Sequence, residues 1–132
     1  MPGWVSLFEI GQLKAGNVVL IHGASGGVGH IMIQMAKAFN LRVIATCSSV
    51  ERAEFCRSLG SDAVVSRDVQ NFVDIALEFT GGLGVDAVID IGYGTASKNM
   101  EALALHGKLI QIASSNVPET MDLRILIDMQ VT

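Results

Sequence analysis

The residues best placed to do chemistry are the four glycines of His22-Gly23-Ala24-Ser25-Gly26-Gly27-Val28-Gly29. The chemistry they suit is the grip on a diphosphate. They follow an apolar, β-branched run, Val18-Val19-Leu20-Ile21, and open an amphipathic stretch from Val28 to Phe39. Strand, glycine turn, then helix is the context in which a loose glycine pattern becomes a phosphate site. One glycine allows the sharp turn, one lets the backbone approach the pyrophosphate, and one lets the helix pack on the strand. The unpaired N–H groups and positive dipole end of the new helix then face the phosphate oxygens. Gly26 is read as the close-approach residue and Gly29 as the packing one, with Gly27 and Val28 between them.

Three registers fit these residues. In G-x-G-x-x-G the first glycine is replaced by Ala24. In G-x-x-G-x-x-G the positions are Gly23, Gly26 and Gly29. In the T-G-x-x-x-G-x-G turn of short-chain dehydrogenases they are Gly23, Gly27 and Gly29, with His22 in the threonine position. All three put a dinucleotide at one helix start; a tight turn without ligand is the competing structural account.

About 20 residues further on, an NAD site carries an Asp or Glu for the ribose 2′-OH. Here the second strand ends Thr46-Cys47-Ser48-Ser49-Val50-Glu51-Arg52, with a thiol or hydroxyl at the tip. Ser48, Ser49 and Arg52 suit a 2′-phosphate, and Arg67 beyond the third strand adds charge to the same rim. Glu51 weighs against this, and Ser48 and Ser49 also suit a helix cap. The balance favours NADP(H).

The elements that position these residues alternate along the chain. Trp4 to Ile10 has helical spacing. Strands are expected at Val18–His22, Leu41–Cys47, Ala63–Val65, Asp86–Ile91 and Lys108–Ile112. Helices are expected at Val28–Asn40, with Ile31, Met35, Ala38 and Phe39 on one face, and at Val50–Leu59, Phe72–Phe79 and Ser97–Leu105, the last ended by a turn at His106-Gly107. This predicts an α/β fold, a parallel doubly wound (Rossmann) sheet with helices on both faces. Leu123 to Ile127 reads as a short helix, and Met129 to Thr132 as a sixth strand that is truncated, from which the chain is expected to be a piece of something longer.

The whole span, residues 1–132, suits one domain with a single core. Half the residues are hydrophobic and 17% are charged, a balance expected of strands buried on both faces. No apolar run approaches the roughly 20 residues that span a bilayer, and the start lacks the features of a signal peptide. A formal net charge of −4 without a basic cluster argues against nucleic acid and anionic membrane. Two cysteines, Cys47 and Cys56, give no disulfide or metal framework; they read as small buried residues, and the expected compartment is the cytoplasm.

Taken together, Leu13-Lys14-Ala15-Gly16-Asn17 through His30, Gln34-Met35-Ala36-Lys37, Arg42-Val43-Ile44-Ala45-Thr46, Leu59-Gly60-Ser61-Asp62-Ala63, Thr80-Gly81-Gly82-Leu83-Gly84-Val85-Asp86, Asp90-Ile91-Gly92 and Leu105-His106-Gly107-Lys108-Leu109 resemble the nucleotide-binding domain of medium-chain dehydrogenases. The branch most similar is that of the zinc-independent quinone oxidoreductases and related enoyl reductases. The resemblance implies NADPH-dependent reduction of a quinone or an α,β-unsaturated carbonyl, with no metal. It assigns Gly26, Gly27, Val28 and Gly29 to the diphosphate, and Ser48, Ser49 and Arg52 to the adenosine phosphate. Gly92 falls near the nicotinamide, and Ile112-Ala113-Ser114 line its pocket. The family's N-terminal catalytic domain, a GroES-like barrel, is absent from this chain, so catalytic residues are unknown. Pro2-Gly3-Trp4 departs from the family's Thr-Ala-Trp, and Arg67 stands where a tyrosine is common. The sixth-strand edge implies self-association.

Other polar residues read as structural. His22 ends its strand with its ring satisfied locally, and Asp86 and Asp90 sit at the sheet rim. Met32, Met35 and Met100 fill the core. Tyr93 and Lys98 are one residue too far apart for the short-chain Tyr-x-x-x-Lys pair. That leaves two alternatives, a non-catalytic NADP(H)-binding module and, less favoured, a short-chain reductase.

Overall fold

The computed structural model describes residues 13–23, 27–66, 71–90, 96–112 and 126–130. In chain order the elements are β1 (Val18–Ile21), α1 (Gly27–Ala38), β2 (Arg42–Cys47), α2 (Val50–Ser58), β3 (Ala63–Ser66), α3 (Phe72–Phe79), β4 (Val85–Asp90), α4 (Ala96–Ala102), β5 (Leu103–Ile112) and β6 (Leu126–Gln130). They build one sheet in the order β3-β2-β1-β4-β5-β6. The first five strands run parallel, each joined to the next through a helix. Such connections need a crossover, which is why helices alternate with strands.

Alternate side chains on each strand enter opposite layers. Val19, Ile21, Val43, Ala45, Cys47, Ala87 and Ile89 pack with Met32, Ile33 and Ala36 of α1 and Ala53 and Cys56 of α2. Leu20, Ile44 and Val88 pack with Val73 and Ala76 of α3 and Ala102 of α4. Helices therefore cover both faces, and β1 is buried along its whole length.

Four expectations need correction. First, α1 buries Met32, Ile33 and Ala36, whereas Ile31 is 40% and Phe39 47% exposed. His30, Gln34 and Lys37 recur at helical spacing as a polar stripe, and Met32 and Ala36, across the helix from that stripe, are among the residues that turn inward; Met35 is partly buried against the same core. Met100, too, is exposed rather than core.

Second, His106-Gly107 is not a turn between helix and strand. It lies within β5, where pairing jumps from Val85↔Leu103 to Ala87↔Lys108. Extra residues on β5 make a bulge at that point. Gly107 is packed into it so closely that a Cβ would lie 2.9 Å from the Ala104 carbonyl oxygen.

Third, β6 occupies Leu126–Gln130, so Leu126 and Ile127 are strand, not helix. A short apolar run does not reveal its own period. Fourth, β6 runs antiparallel to β5, with Leu109 opposite Met129. The sixth strand is thus formed, and differs in direction from the other five. The expected helix at Trp4–Ile10 falls outside the described residues.

Candidate functional site

Strand order reverses between β1 and β4, since β1 leads outward to β2 and β3 while β4 leads to β5. At such a switch point the loops leave the sheet in opposite directions and open a crevice above the carboxyl ends of the strands. Chain leaving β1 enters that crevice at His22 and Gly23. Gly23 has φ +66°, a left-handed conformation that glycine adopts without steric cost. Helix α1 starts at Gly27 and has no acidic residue in its first turn. Gly29, one residue beyond Val28, is buried where the helix meets the sheet. A helix start with unpaired N–H groups and no local negative charge suits an anion.

The rim at the end of β2 is shaped by the second helix. Ser49 is the N-cap of α2, in extended conformation, and its side chain accepts from the Arg52 N–H at 3.4 Å. Ser48 and Arg52 are exposed beside it, and so is Glu51 in the first turn of the same helix. Capping therefore occupies one lone pair of Ser49 and leaves the Ser48 hydroxyl and the Arg52 side chain facing solvent at the strand tip. Of the residues expected at the site, Gly27, Val28 and Gly29 fall at the start of α1, and Ser48, Ser49 and Arg52 at the β2–α2 junction. Gly26, Arg67, Gly92 and Ala113 lie outside the described residues.

Beneath the crevice is a polar group that sequence spacing could not assemble. His22, Thr46, Asp90 and Asn99 are all completely buried. His22 Nδ1 lies 2.9 Å from Thr46 Oγ1, and His22 Nε2 lies 2.7 Å from Asn99 Oδ1. Asn99 Nδ2 donates to Asp90 Oδ2 at 2.7 Å, and the Gly23 N–H donates to Thr46 Oγ1 at 3.4 Å. The edge of the His22 ring meets Phe72, centroid to centroid 4.5 Å. The expectation that His22 is satisfied holds, but its partners come from β2 and α4 rather than from nearby residues. Only the polar character of Thr46 between Ala45 and Cys47 could have hinted at this, and Asn99, flanked by Lys98 and Met100, carried no such signal.

Close by, Cys47 and Cys56 are buried and form no disulfide. Burial, and then the neighbouring Cys47, push the Cys56 thiol up to about 11 against the smaller opposing effect of Arg57. This is the behaviour of a structural cysteine, not a nucleophile.

Residues 27–132 match the family described as zinc-binding dehydrogenase. A 2-haloacrylate reductase of Burkholderia sp is 41% identical over 102 residues, which is 76% of this chain and 31% of that protein. A crystal structure of 2-haloacrylate reductase superposes with a TM-score of 0.82 at 35% identity, covering 92% of this chain and 38% of that one. A quinone oxidoreductase of Pseudomonas syringae pv. tomato DC3000 superposes with a TM-score of 0.81 at 28% identity, covering 94% and 39%. The chain thus spans about a third of the length of the relatives it matches.

Proposed function

The chain belongs to the zinc-binding dehydrogenase family, with the nucleotide-binding fold of its reductases, and on that premise we propose that it binds NADP(H) for a reductase acting on a quinone or an α,β-unsaturated carbonyl compound. The observation that carries this reading is that the glycine-rich stretch of sequence lies between β1 and α1 at the reversal of strand order. The nucleotide fits the residues present: a helix start without acidic side chains for the diphosphate, and hydroxyls with an arginine at the tip of β2 for the 2′-phosphate. When bound, the nicotinamide supplies the hydride chemistry, while the protein contributes binding, orientation and electrostatics.

In this reading, Gly26, Gly27, Val28 and Gly29 hold the diphosphate, and Ser48, Ser49, Arg52 and Arg67 hold the adenosine phosphate. Gly92 and Ala113 flank the nicotinamide. The substrate class is supported by relatives that carry the names 2-haloacrylate reductase and quinone oxidoreductase. Residues 1–132 are one nucleotide-binding domain, and a separate catalytic domain closes the substrate pocket. Among the described residues no group of three or more His, Cys, Asp or Glu side chains could hold a metal ion.

β6 pairs with β5 in the sheet order and ends it, so its outer edge suits pairing with a second copy. Two buried thiols outside any disulfide fit the reducing cytoplasm, and no described helix is long and apolar enough to cross a membrane.

Fluorescence titration with NADPH and NADH tests the cofactor assignment. NADPH is expected to bind at least tenfold more tightly, and Arg52→Ala to erase much of the difference, because hydrogen bonds to a charged group are worth about 1.5–3 kcal/mol. Equal affinities, or an Arg52→Ala protein that keeps its preference, defeat it.

A further inference from the structure

With a carboxylate at Asp90 and a neutral ring at His22, the four buried polar side chains under the crevice have one consistent hydrogen-bonding arrangement. As a carboxylate, Asp90 only accepts, so Asn99 must turn its Nδ2 toward Asp90 and its Oδ1 toward His22. An Oδ1 facing the ring then requires His22 to carry its proton on Nε2. In the neutral imidazole, Nδ1 becomes an acceptor, and the Thr46 hydroxyl donates to it. With its hydrogen committed to the ring, Thr46 Oγ1 offers a lone pair to the Gly23 N–H. Every donor in this relay points the same way, from Gly23 through Thr46, His22 and Asn99 to Asp90.

The relay joins the ends of three adjacent strands. Thr46 is near the carboxyl end of β2, His22 follows β1, Asp90 is the last residue of β4, and Asn99 reaches down from α4. Gly23 is the first glycine after β1. We propose that His22 is a positioning residue: held as the Nε2–H tautomer by Asn99 and Asp90, it orients the Thr46 hydroxyl to receive the Gly23 N–H and so fixes the entry to the glycine turn. The final contact, at 3.4 Å, is the longest and weakest of the four. Its contribution to ligand binding is correspondingly modest, and it works by holding the Gly23 peptide in place before the diphosphate arrives.

The consequence for nucleotide affinity rests on the reading proposed above, whereas the relay itself can be observed without ligand. In the full chain, long-range ¹H–¹⁵N spectra of the histidine rings should show His22 with the proton on Nε2 and none on Nδ1. Thr46→Val keeps the shape but removes the hydroxyl, and Thr46→Ser restores it. The valine variant should exchange its Gly23 amide faster and bind NADPH about threefold to tenfold more weakly, as loss of one neutral hydrogen bond implies. The serine variant should recover both. A purely structural threonine would lower the unfolding temperature of the valine variant without changing Gly23 exchange or affinity in the folded protein. A proton on His22 Nδ1, or wild-type Gly23 exchange in a folded Thr46→Val protein, overturns the proposal. If the wild type binds neither NADPH nor NADH, the nucleotide reading fails on its own, and the ring tautomer and Gly23 exchange still decide the relay.

Discussion

Asp86 Oδ2 accepts a 2.7 Å hydrogen bond from the backbone N–H of Val18, joining the amino ends of β4 and β1 just before their ladder begins at Val19↔Ala87. A carboxylate at that place does the work of one more rung. Asp86→Ala leaves the partly buried Val18 N–H without its partner, and a hydrogen bond to a charged group is worth about 1.5–3 kcal/mol. Urea denaturation should show a loss of that size with unchanged m. Asp86→Asn keeps an acceptor and should lose less. Equal stability of the alanine variant and wild type would remove Asp86 from the account of the sheet.

Gly84 is the position where an added methyl group should do most harm. Its φ is +89°, and a Cβ would lie 2.6 Å from the Ala104 nitrogen and the Leu103 carbonyl carbon, both backbone atoms that cannot step aside. Gly81 and Gly82 also have positive φ but open space around the same point. Alanine at either of these should cost about 1–2 kcal/mol, the strain of the left-handed conformation alone. Gly84→Ala adds a clash with β5, and its thermal midpoint should fall well below those of the other two.

These two sites also show what a single sequence conveys. The strand–glycine–helix run at residues 18–29 announced its own fold because turn chemistry and apolar patterning are local. Helix α3 was legible to the residue, with Asn71 accepting from Val73 N–H at its start. The bulge around Gly107 is not legible, since it depends on how β5 meets β4, and in the sequence His106-Gly107 reads as a turn that ends a helix. Nor could spacing reveal that Asn99 reaches His22, because that contact exists only once α4 is laid across the ends of two strands. The inward face of α1 is legible from its polar stripe, His30, Gln34 and Lys37, rather than from its apolar residues, because exposed Ile31 and Phe39 are as apolar as buried Met32 and Ile33. For the nucleotide rim, Ser49 answered both to a cap and to a phosphate ligand, and its capping bond is compatible with either role.

The acid limb of stability should depend on Asp62. Partial burial raises its carboxyl, but hydrogen bonds from Lys37 Nζ at 2.8 Å and Val43 N–H at 2.7 Å, with the charges of Lys37 and Arg42, outweigh that and hold it below its ordinary value. A carboxyl lowered by folding stabilises the protein above its unfolded pKa of about 3.9, and the benefit disappears as pH falls through the lower folded value. Lys37 and Asp62 are about one-third exposed, so solvent screening keeps the effect near or below about 1 kcal/mol. Asp62→Asn should flatten the stability profile below about pH 4 and leave its shape above that unchanged.

Cys56 should set part of the alkaline limb. Its thiol is pushed up to about 11 by burial and by Cys47, against about 8.5 in an unfolded chain. A raised value means that the stabilisation is complete below about pH 8.5 and is lost as pH climbs toward the folded value. At pH 8 a thiol-specific reagent should therefore label Cys56 slowly in the native protein and rapidly in urea. Equal rates in both states would show that the thiol is neither buried nor shifted.

The position of β1 at the middle of the sheet also fixes a timetable. Its one flank is covered by β2, the next strand to be made, and its other flank by β4, which arrives only after α2, β3 and α3. A chain emerging from the ribosome can complete the β3-β2-β1 half while the remaining flank of β1 still lacks its neighbour. During that interval His22 has met Thr46 but not Asn99, and the nascent half-domain exposes a β-branched edge to any passing strand. Arrival of β4 and α4 seals the edge and anchors the histidine in one event, so the pocket floor and the vulnerable flank mature together.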